Sequence, residues 1–276
     1  FAEDVLFDDT QFAEGATFRG VECRGGTAVL EDDASFADAV FGDRVTFERG
    51  RFGNSNFAGA AFTGGAVFER SEFTDDVTFE NVRFDGVADF DEVQFDGDAV
   101  FTDAVFGGAA TFRGAVFNGG TNHLEDDAVF RNATFADTVD FSEVVCTAAD
   151  FGEVAFKRSA DFTDAAFTDS LRLKARSFGD DTYLDFTEAT IAEGRIIQPE
   201  DGWVRFDLTQ STVGDVELSA ENPADERDLL DYVRFCDTTF EEFTFADHTG
   251  YLDRNDWTLH SFDDGSCPYE FAVEMT

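Results

Sequence analysis

The residues that could do chemistry are few, and their spacing fits neither a metal site nor a catalytic pair. The three histidines are His123, His248 and His260. Asp247 and Asp256 lie near the last two in sequence, but no HxxxH or HxxE spacing of metal ligands joins them. We therefore expect the histidines to make surface hydrogen bonds, and we expect no metal and no cofactor.

Neighbouring carboxylates recur along the chain, for example Asp32 with Asp33 and Asp75 with Asp76. A catalytic pair needs one carboxyl whose environment raises its pKa, and turn positions in water do not provide that. No nucleophile elbow, P-loop or dinucleotide fingerprint is present. The sequence therefore predicts a protein that is not an enzyme, whose carboxylates associate at most weakly with cations.

The four cysteines, Cys23, Cys146, Cys236 and Cys267, are far apart in sequence. This scatter predicts small buried hydrophobic residues in a reducing, cytoplasmic compartment, with no zinc motif and no disulfide framework. Cys236 directly follows Phe235, and an exposed, reactive thiol is the alternative interpretation at that position.

A phenylalanine repeat predicts the strands and turns on which these residues lie. Between Phe68 and Phe117, the gaps between successive phenylalanines alternate between five and six residues, and a small apolar residue usually lies two places before each ring. The alternation indicates a short strand with the ring pointing inward, and the polar residues that follow indicate a turn. The predicted structural core comprises Phe68, Phe73, Phe79, Phe84, Phe90, Phe95, Phe101, Phe106, Phe112 and Phe117.

A helix does not fit this spacing. At roughly 100° per residue, positions five apart differ by about 140°, so successive rings could not share one helix face. Short strands joined by tight turns and wound into a coil place every ring inside. We expect an all-β solenoid with a phenylalanine core.

These frames resemble those of the pentapeptide-repeat family, in its phenylalanine-rich form with an added residue in every second frame. The resemblance covers residues 1–218 and implies a right-handed, quadrilateral β-helix with one frame on each side. A coil then takes about 22 residues. Where the repeat is interrupted, Cys23, Leu30, Leu124, Cys146 and Phe206 are expected to take the inward position.

Residues 219–276 do not follow the repeat and are expected to form a C-terminal cap or transition segment. Asn222 and Pro223 predict the start of a short helix near residues 223–232 that closes the last coil. A docking surface for a following segment is the alternative. The chain begins within a repeat, so we expect a piece of a longer protein. The family resemblance also allows membrane association through parts outside this segment.

The net charge is −41, from 60 acidic and 19 basic residues, and only two of the basic residues are lysines. This composition is typical of proteins from a high-salt cytoplasm and predicts a halophilic, haloarchaeal source. Such a rod also approaches the charge density of duplex DNA, about one charge per 1.7 Å. The family resemblance therefore leaves a DNA-mimicking regulator of a topoisomerase, such as gyrase, as the alternative. No direct nucleic-acid binding is expected, and no apolar run is long enough to span a membrane.

One local cluster of positive charge departs from this acidic background. It is expected either to pair with acidic residues on neighbouring coils or to contact an acidic protein partner. Its members are Lys157, Arg158, Arg172, Lys174 and Arg176. Together these features predict a rigid scaffold or protein-interaction module adapted to high salt, with the topoisomerase regulator or a regulatory domain fused to a membrane protein as alternatives.

Overall fold

A computed structural model describes residues 4–23, 33–119, 127–179, 182–198, 204–220, 233–241 and 274–275 of the chain. All the regular structure in these ranges is β-strand, in one 23-stranded and one 10-stranded parallel sheet. The predicted all-β solenoid is therefore confirmed. The helix predicted near residues 223–232 and most of the predicted cap lie outside the described residues.

Most strands are two residues long, as the three-residue alternation requires. The first half of the chain contains β1 Val5–Leu6, β2 Gln11–Phe12, β3 Ala16–Thr17, β4 Glu22–Cys23, β5 Ala34–Ser35, β6 Val40–Phe41, β7 Val45–Thr46, β8 Arg51–Phe52, β9 Ser55–Asn56, β10 Ala61–Phe62, β11 Ala66–Val67, β12 Glu72–Phe73, β13 Val77–Thr78, β14 Arg83–Phe84, β15 Ala88–Asp89, β16 Gln94–Phe95, β17 Ala99–Val100, β18 Val105–Phe106, β19 Ala110–Thr111 and β20 Val116–Phe117.

Longer strands, which continue around the corners of the coil, occur in the second half. This half contains β21 Ala128–Val129, β22 Thr134–Phe135, β23 Val139–Asp140, β24 Val145–Phe156, β25 Ala160–Asp161, β26 Ala166–Phe178, β27 Tyr183–Asp185, β28 Thr190–Gln198, β29 Arg205–Asp207, β30 Thr212–Ala220, β31 Val233–Arg234, β32 Thr239–Phe240 and β33 Glu274–Met275. Strands β31 and β32 extend the same parallel pairings into the predicted C-terminal segment.

The inward rings form four columns, one for each side of the coil. Side 1 carries Phe7, Phe36, Phe57, Phe79, Phe101, Phe130 and Phe151. Side 2 carries Phe12, Phe41, Phe62, Phe84, Phe106, Phe135, Phe156 and Phe178. Side 3 carries Phe18, Phe47, Phe68, Phe90, Phe112, Phe141, Phe162 and Phe186. Side 4 carries Cys23, Phe52, Phe73, Phe95, Phe117, Cys146, Phe167, Ile191, Val213 and Phe240.

Ring stacking follows the backbone spacing between coils. The centroids of Phe68 and Phe90 are 4.7 Å apart, and those of Phe90 and Phe112 are 4.8 Å apart. These distances equal the separation of paired strands, about 4.8 Å. The ten phenylalanines of the predicted core are each at most 1% exposed. About eight coils lie entirely within the described residues.

The expectations for Leu30 and Leu124 fall on residues outside those that the structure describes. Phe36 stacks directly on Phe7 at 5.3 Å, and Phe130 stacks on Phe101 at 4.8 Å. The side-1 column therefore continues from Phe7 to Phe36 and from Phe101 to Phe130.

A two-residue shift also affects the expectation for Phe206. Asp207 pairs with Asp185, so Leu208 continues the side-3 column after Phe186. Phe206 is buried, but it takes the position of Leu184, two residues before the column. The sequence misleads here because an apolar ring fills the place of the usual small residue.

The turns explain the alternation between five and six residues. After sides 1 and 3 the chain leaves through a β-turn in which the second residue after the ring has a positive φ. Examples are Arg70 at 57° and Glu92 at 55°, and the amide of Ser71 donates to the carbonyl of Phe68 at 3.0 Å. The sixth residue is added after sides 2 and 4, so opposite corners of the coil have matching turns.

The cysteines only partly match their predicted roles. Cys23 and Cys146 are buried in the side-4 column. Cys236 is 1% exposed and disulfide-bonded, so the exposed, reactive thiol considered there was wrong, and this cysteine is not the reduced residue that a reducing compartment predicts. Pairing between cysteines that are distant along the chain cannot be read from spacing, because only the fold brings them together.

Candidate functional site

The outward surface of side 3 carries two columns of side chains. In each strand of the ten-stranded sheet, the residue before the inward ring and the residue two places earlier both point outward. The first column includes Asp89, Thr111, Asp140, Asp161, Asp185 and Asp207. The second column includes Val87, Ala109, Thr138, Ser159 and Tyr183.

A groove of about 470 Å³ lies between these columns. Its middle is lined by small residues of the second column, such as Ala109 and Ser159, whereas Val87 and Tyr183 stand at its ends. Val87 is 55% exposed, one of the few large apolar side chains at the described surface. The small-to-large variation along one column therefore makes an otherwise flat sheet concave.

Four aspartates run along one edge of this surface, in register on consecutive strands. Asp140 pairs with Asp161, Asp161 with Asp185, and Asp185 with Asp207. We call these four residues the acidic column. Adjacent backbones in such a ladder are about 4.8 Å apart, and like charges directly opposite each other are destabilising.

Each residue of the acidic column uses one carboxylate oxygen to hold its own turn. The Oδ1 atom of Asp161 accepts a hydrogen bond from the amide of Thr163 at 2.9 Å, and Asp140 accepts one from Ser142 at 2.8 Å. These Asx-turns satisfy a backbone donor at the corner of the coil. They leave the second oxygen of each carboxylate for other partners.

Only the far end of the acidic column has such partners. The hydroxyl of Tyr183 donates to Oδ2 of Asp185 at 2.5 Å, and Arg234 lies 3.5 Å from Oδ2 of Asp207. For Asp140 and Asp161, no described residue bonds the second carboxylate oxygen. Within the described residues, Asp140 and Asp161 therefore form no ion pair through the second oxygen, although the charge of Arg113 acts on Asp140.

Burial and nearby negative charge raise the pKa values of two groups on side 3, Tyr183 and Asp89. Burial raises the pKa of Tyr183, and the bond to Asp185 with the charges of Asp185, Asp207 and Asp161 raises it further. At the other end, burial raises the pKa of Asp89, and the charges of Asp91 and Glu69 add to it, although a bond from the Asp91 amide opposes the shift. Side 3 thus presents a negative potential in a partly desolvated setting.

Elsewhere on the described surface, acidic residues often pair with a basic residue on the next coil. Arg70 binds Glu92 through two bonds of 2.8 and 2.9 Å, and Arg51 lies 2.9 Å from Glu72. The pKa of Glu92 is lowered, mainly because its carboxylate accepts a hydrogen bond from Arg70. The groove differs from these surfaces because no described residue forms an ion pair with its carboxylates Asp140 and Asp161.

The five basic residues predicted as a partner contact lie on sides 1 and 2 and at the corners that follow them, and Arg158 directly precedes Ser159, which lines the groove. Lys174 lies 2.7 Å from Glu153, and Arg172 lies 3.6 Å from the fully buried carboxylate of Asp150. Cross-coil pairing therefore accounts for these two members of the cluster.

Two further members of the cluster donate hydrogen bonds to uncharged hydroxyl groups. Lys157 donates to Ser177 at 2.8 Å, and Arg176 reaches two coils back to Thr134 at 2.9 Å. Arg158 is exposed. Contact of this cluster with an acidic partner remains a prediction.

Sequence reasoning did not find the groove. Neighbours in the acidic column are 21, 24 and 22 residues apart between Asp140 and Asp207, so no fixed interval reveals them. Alignment of each residue that precedes a side-3 ring would have brought them together. Among the described residues, no group of three potential ligands could hold a metal ion. No helix within them is long and apolar enough to cross a membrane.

The stacked parallel coils define a β-solenoid repeat protein. Residues 27–72, 51–94 and 79–122 match the family described as pentapeptide repeats. Over residues 27–122, the chain is therefore similar to this family. Comparison with curated proteins gives no match.

Two solved structures resemble the chain at low similarity. HetL, a pentapeptide repeat protein involved in heterocyst differentiation regulation from the cyanobacterium Nostoc sp. strain PCC 7120, is 13% identical, with 79% of this chain and 85% of HetL covered and a TM-score of 0.31. Full-length QnrB1, a plasmid-mediated fluoroquinolone resistance protein, is 10% identical, with 90% of this chain and 100% of QnrB1 covered and a TM-score of 0.24. At these values, neither structure informs the function of this chain.

Substitution of Asp89 tests whether side 3 desolvates its carboxylates. Because burial raises its pKa in the folded state, ionised Asp89 destabilises the fold above that pKa, and the cost disappears below the ordinary value of 3.8. Asp89→Asn should therefore raise the melting temperature by about 1–3 °C near neutral pH. The gain should vanish in acid. Melting curves in concentrated KCl, with Asp75→Asn as the exposed control, measure the difference. A gain that persists in acid would show that ionisation is not its cause.

Proposed function

We propose that the chain is a non-enzymatic, rigid β-helical scaffold and protein-interaction module adapted to high salt. The filled interior is the observation that carries this proposal. Phe68, Phe90 and Phe112 stack in contact and are completely buried, as are their counterparts on the other sides. Functional groups are thus confined to the outside of a stiff coil, which suits the presentation of a binding surface.

The surface charge supports the salt adaptation. Acidic residues outnumber basic ones by 60 to 19, and Asp140, Asp161 and Asp185 face one another in register. Such carboxylates repel in dilute buffer, and salt at about 1 M shortens the Debye length to about 3 Å, below the distance between coils. We infer that the protein works in a concentrated electrolyte.

An array of random short peptides tests the interaction function directly. The folded rod, labelled and applied in about 1 M KCl so that long-range attraction is screened, should bind a reproducible subset of peptides. The matched control is the Phe90→Asp chain, which has nearly the same composition but should not fold. Absence of bound peptides, or equal binding by the control chain, would contradict an interaction function that depends on the folded surface.

A further inference from the structure

We propose that the groove on side 3 is the docking surface for a basic polypeptide segment of a partner protein. This inference rests on the proposed interaction function and assigns it a place and a partner chemistry. The surface is an unpartnered sheet face, and charge complementarity identifies its occupant.

The acidic column offers evenly spaced acceptors beside an apolar floor. Asp140 and Asp161 are one strand apart, and each has a second oxygen that no described residue binds. Ala109 and Val87 line the same groove. Lysine and arginine side chains fit a groove that has carboxylates beside apolar residues, because their aliphatic stems pack on apolar surface while their charged ends bind carboxylates.

Stability alone does not account for this arrangement. Carboxylates opposite each other on adjacent strands destabilise a sheet, and the chain elsewhere separates such charges with cations, as Arg70 does beside Glu92. A basic residue also lies at the far end of the acidic column, where Arg234 forms an ion pair with Asp207. Among the described residues, no cation forms an ion pair with Asp140 or Asp161, which line the groove, so we expect a partner to supply further positive charge.

Tyr183 supplies a fixed aromatic boundary to the groove. Its hydroxyl is held by Asp185, which orients the ring at the end of the cavity. An aromatic face beside carboxylates favours a cation, and such contacts contribute about 0.5–1 kcal/mol at exposed sites. A basic segment that runs along the rod therefore meets carboxylates on one side and a ring at one end.

Other occupants fit this surface less well. A nucleic acid would bring phosphates against the acidic column, and a second copy of this chain would bring its own net charge of −41. The described residues provide no three-ligand metal cluster, and the Oδ1 atoms of Asp140 and Asp161 are already engaged in turns. A basic polypeptide is the one of these occupants that the charges attract.

Binding of a labelled peptide of alternating alanine and lysine tests the proposal. In about 1 M KCl, Asp140→Asn with Asp161→Asn should weaken binding about tenfold or more. Asparagine keeps the oxygen that holds each turn, so these variants should fold. The matched control is Asp75→Asn with Asp169→Asn, which removes equal charge from exposed positions after side 4, and it should change binding less than about twofold. Equal losses in the two double variants would overturn the groove as the site.

Ala109→Leu provides a second test that leaves the charge unchanged. The larger side chain fills the groove beside the acidic column, so it should also weaken peptide binding if the cavity is used. A labelled DNA duplex tests the other occupant, and its binding in competition with the peptide would overturn the proposal. If array peptides bind the folded rod but ignore all groove variants, the docking surface is wrong and the interaction function stands. If no peptide binds the folded rod, both fail.

Discussion

Replacement of Phe90 by aspartate is expected to abolish folding of the rod. The Phe90 ring is fully buried, stacks at 4.7 and 4.8 Å on Phe68 and Phe112, and meets Phe79 and Phe101 edge-on at 5.5 and 5.6 Å. Loss of such a ring costs about 3–5 kcal/mol. An unpaired charge in a dry interior adds several kcal/mol more. The sum is comparable with the total stability of a domain, about 5–15 kcal/mol.

Circular dichroism and thermal unfolding in concentrated KCl measure this effect. Phe90→Leu is the matched control, since it keeps an apolar side chain in the column and should cost only about 1–3 kcal/mol. A Phe90→Asp chain that retained its β signal and melting temperature would contradict the stacked, water-free interior. Because each coil contacts only its neighbours, loss of the central coil should also uncouple the two halves of the rod.

The phenylalanine repeat made the core predictable because it records two physical requirements at once. Alternation around Phe90 or Phe101 shows which side chains point inward, and the five-and-six spacing shows where the corners lie. The structure adds the reason for the extra residue, which follows sides 2 and 4 while β-turns with a positive φ, as at Glu92, close sides 1 and 3. Local sequence was sufficient here because each frame folds by a local rule.

Sequence spacing was misleading where contacts between coils decide which residue takes an inward position. Phe36 and Phe130 take the next side-1 positions by stacking on Phe7 and Phe101, and the spacing along the chain does not show this. Phe206 was displaced by Leu208 for the same reason, since pairing of Asp207 with Asp185 sets the register. A sequence pattern gives only the spacing of residues along the chain. Stacking between coils determines which of those residues takes each inward position.

The groove was hidden by the same limitation. Asp140, Asp161 and Asp185 each resemble an ordinary turn aspartate in sequence, and each does hold a turn. Their shared surface arises only when coils of unequal length are stacked, which aligns them beside Tyr183. The division at residue 218, the helix near residues 223–232 and the contact role of Lys157 and its neighbours remain predictions.

The salt dependence of stability is the second large effect expected. Acidic residues outnumber basic ones by 60 to 19, and Asp140 and Asp161 face each other one coil apart. At about 0.2 M salt the Debye length is about 7 Å, so carboxylates on adjacent coils repel, whereas near 1 M it is about 3 Å and most of that repulsion is screened. The double variant Asp75→Asn with Asp169→Asn, which carries less charge, should depend less on salt.

The melting temperature as a function of KCl concentration tests the central claim most directly, namely that this is a scaffold whose charge is an adaptation to salt. Between about 0.2 and 2 M KCl the melting temperature should rise by about 10 °C or more, with most of the rise below about 1 M. A melting temperature that is unchanged or falls over this range would contradict the claim. The negative surface would then need a function of its own, and a mimic of duplex DNA would become the stronger interpretation.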